Sequence, residues 1–179
     1  EKKGKRGYVR GYRANNGSDI TVLMVDHLAL AGTELHLDTK GIMDKLSKYA
    51  VVLRNIFHTT CVFIQQFSTD LMSWHRTQKK NPDSIIPQRI DFGDSKATFR
   101  DADVVLGLIK PSAFDYEEFK GYPILKRGAE GCLGSYFIAC CIMKNRYGPS
   151  GKMLPLFLDP IAGVASELPD PTNLFLMDE

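Results

Sequence analysis

Apolar positions along the chain follow two rhythms, short continuous runs and one long helical stripe, and their order predicts the architecture. Ile20-Thr21-Val22-Leu23-Met24-Val25-Asp26 reads as a buried strand that ends on a carboxylate. The turn residues Asn15-Asn16-Gly17-Ser18 precede it and a loop with Gly32 follows. Asp38-Thr39 can cap a helix running to about Phe57, because Ile42, Leu46, Tyr49, Leu53 and Ile56 recur at helical spacing and make one apolar face. Thr60 to Gln66 (TCVFIQQ) is β-branched and aromatic, a second strand. Strand, helix, strand in that order predicts a right-handed parallel crossover.

Beyond this unit the pattern loosens. Phe67 to about Ile90 is polar, with Arg76, Lys79, Lys80 and Arg89 among Asn81, Pro82 and Pro87, and loops of this length are usually functional or mobile. A short helix or turn around Asp94 to Arg100 leads to a third apolar strand, Asp103 to Ile109. Lys110 to Gly134 reads as a loop or insertion with several aromatics. Ser135 to Met143 (SYFIACCIM) is a further strand, Arg146 to Gly151 a turn, and Met153 to Leu158 its hairpin partner. The acidic end, with Pro160, Pro169 and Pro171, reads as a tail. The expected organisation is a basic leading segment at 1–17, an α/β domain at 18–158 and an acidic tail at 159–179. Its fold class is α/β, with a mostly parallel central sheet, helices and a C-terminal β-hairpin.

Composition narrows the functional classes. With 44% hydrophobic and 25% charged residues, the 179-residue chain suits one soluble domain with a sizeable core. No apolar run approaches the roughly 20 residues a bilayer requires, so no membrane partner and a cytoplasmic location are expected. Cys61, Cys132, Cys140 and Cys141 contain no C-x-x-C, and the adjacent pair would face opposite sides of a strand, which points to buried thiols rather than zinc ligands or disulfides. The net charge of +2 does not by itself mark a nucleic-acid binder. Its distribution is uneven: Lys2, Lys3, Lys5, Arg6, Arg10 and Arg13 crowd the start, as a solvated arm or a phosphate-contacting one.

Asp26 is the first chemical candidate. In P-loop ATPases such an Asp, at the carboxyl end of a central strand, holds the Mg²⁺ that bridges nucleotide phosphates; as a bland alternative it caps a loop or helix. The phosphate cradle G-x-x-x-x-G-K-[ST] fits no window, and Gly148-Pro149-Ser150-Gly151-Lys152-Met153 lacks both the spacing and the terminal hydroxyl. The chain is therefore expected to be the later part of an ATPase domain, cut off from its first part. Lys144 and Arg146, two apart, project to one side of an extended strand and can reach one target, or simply keep a hairpin turn soluble. His27 stands beside Asp26; His36, His58 and His75 have no ligand-like spacing.

Four segments in order, VLMVDHLAL, VFIQQF, DFGDSKATFRDADVVLGLI and IMKNRYGPSG followed by LPLFLD, resemble the C-terminal RecA-like motor domain of DnaB-type hexameric replicative helicases over roughly Ser18 to Leu158. The resemblance implies a partial RecA-like fold and an ATP-dependent DNA helicase that uses ATP or another NTP with Mg²⁺. It implies a homohexameric ring, single-stranded DNA as substrate track, and a primase or helicase loader as further partner. Asp26 matches the Mg²⁺-organising aspartate and Gln66 the γ-phosphate sensor, with Gln65 the competing glutamine. Arg146 matches an arginine finger acting in trans on a neighbouring subunit's nucleotide, with Lys144 beside it. Asp91 to Lys96 corresponds to the loop that tracks the DNA backbone, so Arg89, Gly93, Asp94, Ser95 and Lys96 become candidate DNA contacts. Here the sequence departs from the common pattern, which has Arg at the place of Gly93 and Gly at that of Lys96; such departures suit a phage or other mobile element. Without a P-loop, the isolated chain is expected not to turn over ATP. A recombinase-type relative and a catalytically inactive RecA-like oligomerisation module remain as alternatives.

Overall fold

The computed structural model describes residues 20–31, 36–73, 76, 81–93, 95–125 and 132–177. The basic leading segment, Gly32, His75, Lys79, Lys80 and Asp94 lie outside the described residues. The chain divides into two compact units, 1–66 and 67–179.

In the first unit, β1 (Val22–Val25) and β2 (Thr60–Phe63) pair in parallel, Val22 opposite Thr60 and Val25 opposite Phe63. Helix α1 (Thr39–Phe57) connects them, as the expected crossover requires. Its start is fixed by Asp38, whose carboxylate accepts from the Gly41 N–H at 2.7 Å and so satisfies one of the orphan donors of the first turn. Its end is a left-handed His58 (φ 53°) whose N–H returns to the Leu53 carbonyl. Ile42, Met43 and Ser47 are buried. β1, expected to be buried, is exposed at Val22, Leu23 and Met24. Its only hydrogen-bonded neighbour among the described strands is β2, too little sheet to cover both faces of so apolar a strand.

The second unit is built on a four-stranded antiparallel sheet in the order β3-β6-β7-β8, with β3 Val104–Ile109, β6 Phe137–Asn145, β7 Met153–Asp159 and β8 Val164–Glu167. The mostly parallel sheet expected from the sequence is corrected here: among the described strands only β1 and β2 pair in parallel. Short turns join β6 to β7 and β7 to β8, the latter through Gly163 at φ 65°, and a tight turn can link only antiparallel neighbours. β3 alternates as a half-buried strand should, with Val105, Gly107 and Ile109 inward. Between β3 and β6 the register slips: Val105 faces Lys144 while Leu106 faces Ile142, leaving Met143 as a bulged residue.

The aromatic-rich insertion supplies the core rather than a surface loop. β4 (Glu118–Phe119) and β5 (Tyr122–Pro123) form a two-residue hairpin over Lys120 (φ 52°) and Gly121 (φ 89°), the positive-φ pair that such a turn demands. Phe119, Ile124 and Phe137 are fully buried, with Leu71, Ile85, Ile109, Tyr116, Tyr122, Ala139, Cys141 and Leu168 around them. The end expected as an acidic tail is structured too: β8 pairs with β7, the Leu168 N–H donates to the Pro155 carbonyl, and the Tyr122 hydroxyl donates to the Pro169 carbonyl at 2.8 Å.

The stretch between β2 and β3 is tied down from within. It carries 3₁₀ turns at Thr69–Met72, Pro82–Ile85 and Arg89–Asp91 and the short helix α2 (Lys96–Asp101). Arg76 is its hub, forming an ion pair with the buried Asp91 and donating Nε to the Ser84 carbonyl (2.8 Å) and Nη2 to the Ile86 carbonyl (3.1 Å).

Candidate functional site

The first unit presents two of the sequence candidates at one edge. Asp26 follows β1 directly and Gln66 lies three residues past β2, so both sit beyond the carboxyl ends of the two parallel strands, where ligands of open α/β sheets gather. Both are exposed. The turn that carries Asp26 is held by backbone bonds from Leu28 N–H to the Ile64 carbonyl and from Ile64 N–H to the Val25 carbonyl, each 3.0 Å. The Asp26–His27 peptide is cis, and His27 Nδ1 is buried without a hydrogen-bond partner among the described residues. Gln65, the competing glutamine, is only half-exposed and already engaged in an interaction. A Mg²⁺ ion held largely by phosphates and water needs one or two protein carboxylates, and Asp26 fits that modest requirement. No group of three potential metal-ligating side chains exists among the described residues.

In the second unit, Lys144 and Arg146 come together against the segment 99–103. β6 ends at Asn145, opposite Val104, so the next residues outward, Asp103 and Arg146, meet across the strand pair. The Arg146 N–H donates to the Asp103 carbonyl at 2.9 Å, and Arg146 Nη1 donates to Asp103 Oδ1 at 2.5 Å. Lys144 Nζ donates to the Phe99 carbonyl (3.0 Å) and the Arg100 carbonyl (2.7 Å), and lies 5.8 Å from the Phe99 ring centre. An ammonium on the last carbonyls of α2 complements the negative end of that helix. Burial pushes the Lys144 pKa down, helped by Arg146 and Arg89 and opposed by Asp103 and Asp101.

The candidate DNA segment is more varied. Arg89 is exposed, its guanidinium 5.9 Å from the Phe99 ring centre; Gly93 and Lys96 are exposed as well. Ser95 is fully buried, so its hydroxyl faces the protein interior rather than a passing strand. Asp91, at the head of the segment, is 2% exposed and holds Arg76, a structural role that sequence order did not disclose. Phe67, Phe92 and Phe99 form an edge-to-face ladder beneath the segment, with ring centres 5.4 and 5.2 Å apart. Asp103 is the residue that sequence reasoning missed; the signal for it is cross-strand register, which becomes visible only once β3 and β6 are paired.

No family model matches the chain, and no curated protein matches it. Solved structures do. One, described as an ATPase domain, superposes with a TM-score of 0.63 at 15% identity, over 86% of this chain and 46% of that one. A DnaB-like replicative helicase, described with its interactions with primase, gives a TM-score of 0.63 at 17% identity, over 86% of this chain and 32% of that one. The chain thus spans less than half the length of either structure. Over the matched part, its fold is similar to that ATPase domain and to that DnaB-like replicative helicase.

Proposed function

We propose that this chain is the later part of the motor domain of an ATP-dependent replicative DNA helicase, which assembles as a ring, hydrolyses NTP between subunits and moves along single-stranded DNA. The observation that carries this reading is the half-exposed Arg146 at the tip of the β6–β7 hairpin, beside Lys144, in a chain with this fold. A bound Mg²⁺–nucleotide would supply the electrophilic phosphate. Asp26 would organise the metal's water shell, and Gln66, whose amide both donates and accepts, would register the terminal phosphate. Arg146 would reach the nucleotide of the neighbouring subunit and stabilise the charge that develops there, an effect worth roughly 10³ to 10⁵ in rate. Arg89, Gly93 and Lys96 would follow DNA phosphates, giving sequence-tolerant, salt-sensitive binding. A primase or loader would be a further partner, in line with the primase interactions of the DnaB-like neighbour.

The experiment mixes subunits of the full-length protein. Rings containing Arg146→Ala subunits and Asp26→Asn subunits should hydrolyse NTP only where an intact finger meets an intact metal site, whereas each homogeneous mutant ring should be nearly inactive. Wild-type turnover by Arg146→Ala would sink the assignment. The second reading is a catalytically inactive RecA-like oligomerisation or binding module. Full-length protein that forms rings yet neither binds nor hydrolyses NTP would select it.

A further inference from the structure

We propose that Asp103 is a positioning residue for Arg146, fixing the direction in which the guanidinium is offered to a phosphate; this rests on the reading of Arg146 as the cation that crosses to a neighbouring nucleotide. Residue 103 grips residue 146 twice, through its backbone carbonyl (2.9 Å) and through Oδ1 (2.5 Å). A side chain held at both its root and its tip loses most of its rotamer freedom before any ligand arrives, so the ordering cost of binding is largely met in advance. The grip occupies one terminal nitrogen. The fork geometry of guanidinium offers five N–H donors, and with the Arg146 side chain 49% exposed the remaining edge is accessible to a second anion.

The holder is itself held. Asp103 is only 19% exposed and follows α2, whose closing carbonyls at Phe99 and Arg100 both accept from Lys144. The segment 99–103 is therefore fastened to the end of β6 and the turn beyond it at two points, by Lys144 on α2 and by Arg146 on Asp103. Asp103 acts through Arg146 and touches no substrate itself.

Sequestration of Arg146 by Asp103 would use the same contact with the opposite sign, since freeing the arginine would then raise activity. The test uses the full-length assembled protein and measures steady-state NTP hydrolysis for Asp103→Ala, Asp103→Glu, Arg146→Ala and the Asp103→Ala/Arg146→Ala pair. Asp103→Ala should lower kcat by about 10- to 100-fold, the scale of a misplaced catalytic group, while KM for the nucleotide stays within about twofold. Asp103→Glu should restore part of kcat. In the Arg146→Ala background, Asp103→Ala should change nothing further. An unchanged or raised kcat for Asp103→Ala overturns the proposal, as does an additional loss in the Arg146→Ala background. Should Asp103→Ala fail to fold by circular dichroism, Asp103→Asn replaces it, with an intermediate kcat expected and wild-type kcat again overturning the proposal. Wild-type turnover by Arg146→Ala is a different result: it removes the finger reading itself, whatever Asp103 does.

Discussion

Replacing Asp91 by Ala should be among the most destabilising single changes in the second unit. The carboxylate is 2% exposed and serves two donors, Arg76 Nη1 and the Gln88 N–H at 2.6 Å, the latter closing the 3₁₀ turn Arg89–Asp91. Arg76 is 21% exposed and keeps its bonds to the Ser84 and Ile86 carbonyls when Asp91 is lost, but no longer has this counter-charge. Breaking one side of a buried pair costs about 3–5 kcal/mol, because the surviving charge is left uncompensated. The residual exposure of Arg76 and its two carbonyl partners place the expected loss near the low end, about 3 kcal/mol, still a large part of a typical domain stability of roughly 5–15 kcal/mol. Asp91→Asn, which keeps an acceptor for Gln88 but loses the charge, should cost about half as much. Urea unfolding curves provide the readout, through a lowered midpoint at unchanged slope. A double-mutant cycle with Arg76→Met isolates the pair, and the double mutant should recover part of the loss. An Asp91→Ala loss below about 1 kcal/mol, or strict additivity in the cycle, would refute the idea that this pair ties down the segment between β2 and β3.

Two further outcomes are expected. Burial pushes the Cys141 thiol up to about 11 from its ordinary 9.0, with Cys140 adding to the rise and Lys120 opposing it. A group raised in the folded state contributes stability that is complete below the unfolded value and fades as pH climbs through the folded one, so wild type should lose up to about 2–3 kcal/mol between about pH 9 and pH 11 relative to Cys141→Ala; parallel stability–pH curves for the two proteins would contradict this. At Gly93 an added Cβ would meet Ser68 Cβ at 3.4 Å, an ordinary contact, so Gly93→Arg should fold normally. In the full-length protein it should tighten single-stranded DNA binding and steepen its salt dependence by about one released counterion, and an unaltered salt slope would argue that this segment lies away from the DNA.

How much was legible depended on whether a signal was local. Helix α1 was readable because Asp38 marks its start and the apolar stripe runs to Ile56, one residue before its end, although Tyr49 and Ile56 of that stripe are exposed. The strand β3 and the β6–β7 hairpin were readable for the same reason, since alternation and turn residues act over a few positions. Cys140 and Cys141 are both buried, as adjacent residues of a strand covered on both faces must be, whereas Cys61 and Cys132, also expected as buried thiols, are only half-buried. Long-range partners were not legible. Arg76 and Asp91 look like ordinary surface charges until the chain between them folds back on itself, and Asp103 gains meaning only from its place opposite Arg146. The acidic composition of residues 159–179 hid an edge strand, because β8 is held by backbone bonds to β7 rather than by buried side chains.

The spare residue at Met143 makes chain length, rather than composition, the determinant of where positive charge points. Upstream of it, Phe137, Ala139 and Cys141 belong to the hydrophobic interior; immediately downstream, Lys144 and Arg146 turn to α2 and Asp103. A strand reverses its facing with every residue, so deleting one position in this stretch would swing the cationic tip to the opposite side of the sheet while leaving every amino acid of the turn in place. Two chains can therefore share the same Lys-x-Arg signature and aim it in opposite directions. Transferring such a signature from one protein to another thus requires counting the residues between the apolar run and the cations.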